Sequence, residues 1–112
     1  MAGKYEITKT QNGKVLFNLK ATNGQVILTS QMYENKDSAL AGIESVKVNG
    51  SNDAQFERKV ASNGQAYFNL KATNGQVIGK SETYKTTAAM ENGISSVKKN
   101  ASSAQIPDLA LV

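Results

Sequence analysis

The chain has 112 residues, 39% apolar and 20% charged, which suits one globular domain with a modest core and does not suit a disordered chain. It has no His, Cys or Trp, which removes the usual general base, the usual low-pKa nucleophile and nearly all zinc, haem and iron–sulfur ligation. Thirteen Lys plus Arg against nine Asp plus Glu leave a formal charge of +4, a weak attraction for anionic partners. Arg58 is the one arginine, so the planar fork that reads guanine edges is scarce and sequence-specific DNA binding is not expected.

Residues Met1 to Lys4 lead directly into an alternating pattern, with no basic segment followed by an apolar one. No window approaches eighteen consecutive apolar residues. A cytoplasmic protein without a membrane span is expected.

Tyr5, Ile7 and Lys9 alternate with Glu6, Thr8 and Thr10, which reads as a strand. Val15, Phe17, Leu19 and Ala21, alternating with Leu16, Asn18 and Lys20, make a second. The joining Gln11-Asn12-Gly13 fits a three-residue turn with Gly13 left-handed, because that loop opposes Ile7 to Phe17 and Tyr5 to Leu19; a two-residue loop would mix the faces. For the next connection a two-residue type I′ loop on Asn23-Gly24 is expected, opposing Ala21 to Val26 and Leu19 to Leu28. Asn35 then stands at an N-cap position before a helical stripe of Ala39, Ile43 and Val46. Gly42 lies inside that helix, where a close approach of helix to sheet would offset its low helix propensity. Asn49 suits a left-handed helix end.

The same unit then returns at an offset of 51 residues. Phe17 to Ile27 is repeated without change as Phe68 to Ile78, and Glu6, Asn12-Gly13, Ser30, Tyr33, Gly42-Ile43, Ser45-Val46-Lys47 and Asn49 recur in register. Thr86 takes the N-cap position, Met90, Ile94 and Val97 the stripe, and Asn100 the helix end. Two replacements break the symmetry of the core: Arg58 stands for Ile7 and Gly79 for Leu28. The expected organisation is one pseudo-symmetric α+β domain over residues 1–112. Repeat one spans 3–49, the linker 50–53, repeat two 54–100 and the tail 101–112, and each repeat is β-β-β-α. A repeat this short rarely buries a core alone, so both are expected to share one antiparallel six-stranded sheet with two helices on one face. In the tail, Pro107 and the apolar run Leu109 to Val112 are expected to pack over an edge or fray.

The motifs F-N-L-K-A-T-N-G-Q-V-I, S-x-x-Y and G-I-x-S-V-K-x-N, each present twice, resemble the YegP-like family of small uncharacterised bacterial proteins. The resemblance covers residues 3–100. It implies that the C-terminal helices of the two repeats are exchanged between the halves, and that single-repeat relatives build the equivalent sheet as dimers. It carries no catalytic, cofactor or ligand assignment. At Asn18 and Asn69 related repeats often carry a larger side chain, such as Trp or Arg.

The acids that match across copies are Glu6 and Glu57, placed by the register on the outer face beside Asn18 and Asn69. Two carboxylates can perform glycoside chemistry when suitably spaced, yet neighbouring lysines would lower their pKa values when a general acid needs one raised. Lys20 and Lys71 recur on the same face, and Leu16, Tyr67, Ile27 and Ile78 are expected to make it less polar than a purely solvated one. The expected function is a small non-enzymatic binding module using this open face, with candidate residues Asn18, Lys20, Asn69, Lys71, Tyr67, Glu6 and Glu57 and a protein or peptide as partner. Two other classes compete: a weak binder of nucleic acid or another anion, and an enzyme using Lys and carboxylates. Ser30-x-x-Tyr33 and Ser81-x-x-Tyr84 lack an activating base and are expected to be structural. No cofactor or metal is expected, and the doubled chain is expected to be a monomer.

Overall fold

Period-two alternation gives way to helical spacing twice along the chain, and the computed structural model, which describes residues 3–102, follows that pattern. Its elements are β1 (Lys4–Lys9), β2 (Val15–Lys20), β3 (Val26–Ser30), α1 (Lys36–Asn49), β4 (Phe56–Val60), β5 (Ala66–Lys71), β6 (Val77–Lys80) and α2 (Thr87–Asn100). A short 3₁₀ turn, Asp53–Gln55, joins α1 to β4. The expectation for Pro107 and Leu109 to Val112 lies outside the described residues.

The strands form one sheet in the order β1-β2-β3-β6-β5-β4, every neighbouring pair antiparallel. In the first hairpin Tyr5 opposes Leu19 and Ile7 opposes Phe17. Gly13 has φ +85° and donates its N–H to Thr10 O at 3.1 Å, as the three-residue turn requires.

The second hairpin differs from the expected type I′ loop. Ala21 N–H donates to Gln25 O and Gly24 N–H to Ala21 O, both at 2.9 Å, so Thr22-Asn23-Gly24 is another three-residue turn and Ala21 opposes Gln25, not Val26. That loop alone would put Leu19 opposite Ile27 and throw the core out of phase. A bulge restores it: Lys20 pairs with Val26 while Leu19 pairs with Leu28, leaving Ile27 as the extra residue. Repeat two does the same, with Lys71 on Val77, Leu70 on Gly79, and Ala72 facing Gln76.

Both helices pack on the face that carries Phe17, Leu19, Phe68 and Leu70, all fully buried. Asn35 Oδ1 accepts from Ser38 N–H and Thr86 Oγ1 from Ala89 N–H, so both expected N-caps form. Asn49 and Asn100, in contrast, are not left-handed. They are the last helical residues, buried, and their side-chain amides donate back to Ser45 O and Ser96 O at 2.9 and 2.8 Å. Gly50 and Ala101 follow them in right-handed helical conformation. A side chain that bonds the preceding turn keeps its own backbone helical, so the αL preference of Asn is not expressed.

Each helix also reaches strands of the other repeat, the exchange that the resemblance implies. α1 packs on β2 and on β6 and β5; α2 packs on β5 and on β3. At the end of α2, Asn100 Oδ1 accepts from Gly3 N–H at 3.0 Å, and the Tyr5 hydroxyl donates to Ala101 O at 2.5 Å.

Candidate functional site

The register aligns one residue from every strand into a row across the face opposite the helices: Glu6, Asn18, Thr29, Lys80, Asn69 and Glu57. Strand alternation places these side chains away from Phe17 and Phe68. The row contains four of the seven sequence-derived candidates, and Lys20, Lys71 and Tyr67 flank it. Thr29 and Lys80, its two central members, carry no repeat signal in the sequence, because they occupy equivalent positions with different residues.

The row is internally bonded. Lys20 Nζ lies 2.9 Å from Glu6 Oε1, and Lys71 Nζ lies 3.0 Å from Glu57 Oε2. Asn69 Nδ2 donates to Glu57 Oε1 at 3.2 Å, Thr29 Oγ1 donates to Asn18 Oδ1 at 2.7 Å, and Lys80 Nζ sits 4.9 Å from the centre of the Tyr67 ring. The hydrogen bond from Lys20 holds the Glu6 carboxyl below the usual carboxylate range, and those from Lys71 and Asn69 do the same for Glu57. Glu6 and Glu57 lie on opposite edge strands, five strand spacings or about 24 Å apart along the sheet. Both the separation and the direction of the pKa shifts oppose a paired-acid mechanism, which needs a close pair with one raised pKa.

The apolar part of the face is smaller than expected. Ile27 and Ile78 retain only 4% and 7% of their exposure and join the buried cluster, so they present no surface to a partner. Leu16 and Tyr67 are half-buried and do contribute. The bulge explains the miss: Ile27 and Ile78 are its extra residues, and plain alternation does not describe their environment.

The two serines and tyrosines are structural. Ser30 Oγ accepts from Phe17 N–H at 2.9 Å and donates to Gln31 O at 2.7 Å, and Ser81 repeats both bonds with Phe68 and Glu82. Each serine completes the ladder where the strand turns away. Tyr33 and Tyr84 then resume pairing with Val15 and Ala66, and burial raises both phenol pKa values. Among the described residues no group of three or more Asp or Glu is placed to hold a metal ion, and no helix is long and apolar enough to cross a membrane.

Two β-β-β-α units joined into a single sheet, with the helices shared between them, define a tandem-repeat α+β protein. The chain belongs to the family described as Domain of unknown function (DUF1508), whose model matches residues 11–57 and 61–108. It is 48% identical over 108 residues to the UPF0339 protein YegP of Escherichia coli K12, covering 96% of this chain and 98% of that protein. It is 50% identical over 109 residues to a UPF0339 protein of Shewanella oneidensis, covering 97% and 99%. The solution NMR structure of yegP from E. coli, described as a protein of unknown function, superimposes with a TM-score of 0.89 over 95% of this chain and 91% of that one.

Proposed function

We propose that this chain is a cytoplasmic, monomeric and non-catalytic binding module that receives a protein or peptide on its six-stranded face, through Asn18, Lys20, Tyr67, Asn69 and Lys71 with Glu6 and Glu57 at the margins. The observation that carries the reading is the polar row running across all six strands on the face away from both helices, where no described element packs. Its amides and ion pairs are half-buried, held in fixed positions by one another, and bordered by Leu16 and Tyr67. Such a surface can offer preorganised polar contacts beside apolar area. The low carboxyl pKa values and wide spacing of Glu6 and Glu57 support a non-catalytic role. Lys80 lies over the Tyr67 ring, which works against base stacking there and favours a peptide over single-stranded RNA.

The test is an NMR chemical-shift map of ¹⁵N-labelled protein titrated separately with an acidic peptide library and with mixed short RNA at moderate salt. Peptide-induced shifts clustered at Asn18, Lys20, Tyr67, Asn69 and Lys71 are expected, and they should disappear in Lys20→Glu/Lys71→Glu. Shifts with RNA alone would transfer the face to nucleic acid. No shift on this face with either would withdraw it as a binding surface.

A further inference from the structure

We propose that the cleft between the β1–β2 hairpin and the start of α1 binds a small amphipathic anion, a carboxylate on an aliphatic or aromatic body. The site lies on the helix side of the sheet and is independent of the sheet-face reading. The cleft measures about 420 Å³, within the roughly 300–1,000 Å³ of small-molecule sites. Ile7 and Val15 supply its apolar wall, and Lys9, Lys36, Glu34 and Asn35 its polar rim. Glu34, the carboxylate of the rim, is engaged by Lys14 at 3.3 Å. Lys9 and Lys36 are exposed and have no ion-pair partner among the described residues. An apolar wall beside two uncommitted cations is complementary to a ligand with an apolar body and one anionic end.

The second repeat provides an internal comparison. There Arg58 replaces Ile7 and Glu91 replaces Leu40. Arg58 bridges strand to helix, its Nε 2.6 Å from Glu91 Oε2 and its Nη2 3.1 Å from both Glu91 Oε1 and Asp53 Oδ1. At the corresponding place in repeat one the strand and the helix offer Ile7 and Leu40, both partly buried against the core. The two copies therefore carry an ion pair and an apolar pair at the same position of strand and helix.

The test titrates ¹⁵N-labelled protein with sodium octanoate, and in parallel with 1-octanol and with inorganic phosphate. Octanoate is expected to shift the amides of Gly13, Val15, Asn35 and Lys36, with Lys9→Gln/Lys36→Gln weakening binding about tenfold or more, the effect of losing a charge-assisted contact. Ile7→Arg/Leu40→Glu, which transplants the repeat-two pair, is expected to abolish the shifts while the rest of the spectrum is retained. If that graft does not fold, the lysine variant decides. The proposal is overturned by no response to octanoate, by an equal response to octanol, by phosphate alone reproducing the shifts, or by octanoate shifts confined to Asn18, Lys20, Asn69 and Lys71.

Discussion

Gly42 and Gly93 each lie against a tyrosine hydroxyl: a Cβ on Gly42 would overlap Tyr33 Oη and stand 3.1 Å from Phe17 Cε2, and one on Gly93 would meet Tyr84 and Phe68 in the same way. Alanine would gain about 1 kcal/mol of helix propensity and lose roughly 1–3 kcal/mol to overpacking, so Gly42→Ala should be net destabilising in urea melts. Adding Tyr33→Phe, which removes the obstructing oxygen, should recover part of the loss. The sequence revealed that these glycines needed a close neighbour, but not that the neighbour was a side chain from their own repeat. The serines show the opposite limit. Ser30 and Ser81 could be read as structural because no base accompanied them, while their bonds to Phe17 and Phe68 N–H depend on where the strand leaves the ladder. Titration supplies a second expectation at this scale. Burial, with a smaller contribution from Glu44, raises the Tyr5 phenol far above its ordinary value of 10.0. The unfolded chain therefore loses this proton first, and the stability tied to Tyr5 is complete below pH 10 and falls as the pH rises above it. Tyrosinate absorbance from Tyr5 should appear only with alkaline unfolding, and Tyr5→Phe, which removes the hydroxyl donor to Ala101 O, should cost about 0.5–1.5 kcal/mol at neutral pH. At the acid end, Glu6 and Glu57 have lowered native pKa values, so their stabilisation is present above the ordinary carboxylate value of 4.5 and is lost as the pH falls through the native values. Because both are surface groups, Glu57→Gln should change the acid limb of the stability curve only slightly.

All four hairpins turn on a glycine at φ of +85° to +88°, namely Gly13, Gly24, Gly64 and Gly75, and nothing lies within 4 Å of an added Cβ at any of them. Substitution is opposed by backbone conformation alone. Gly→Val at each site should cost about 1–2 kcal/mol in equilibrium denaturation, with Gly→Asn milder, and unchanged melting would contradict the left-handed turns. The first hairpin was legible because both flanking strands alternate clearly, and only one loop length brings Ile7 against Phe17. The second was not, because Asn-Gly serves either turn and the bulge after Val26 corrects the phase inside the strand. That bulge also hid the burial of Ile27 and Ile78, and with it the true extent of the candidate face. The bulge leaves the polar row in place, because Asn18 and Asn69 are fixed by the first hairpin of each repeat, on the other side of it.

Across the whole molecule, the two repeats fit because they differ at the centre. A Cβ on Gly79 would lie 2.7 Å from Leu28 Cγ and Cδ2, so Leu28 occupies space that its counterpart leaves empty. Gly79→Leu should overpack the core, and Leu28→Gly should leave a cavity costing several kcal/mol, in the range of large-to-small core changes. Combining them should cost less than the sum, since the pair shares one space. This complementarity, the contact of each helix with strands of both repeats, and the bonds from Gly3 and Tyr5 to the end of α2 support the proposal that units 3–49 and 54–100 are halves of one cooperative domain. The most direct measurement is a urea titration followed by resolved amide signals from both repeats, such as Leu19 and Ile43 against Leu70 and Ile94. A single midpoint shared by all four is expected, whereas separate midpoints for the two pairs would mean that each repeat holds its own core and would contradict the shared domain.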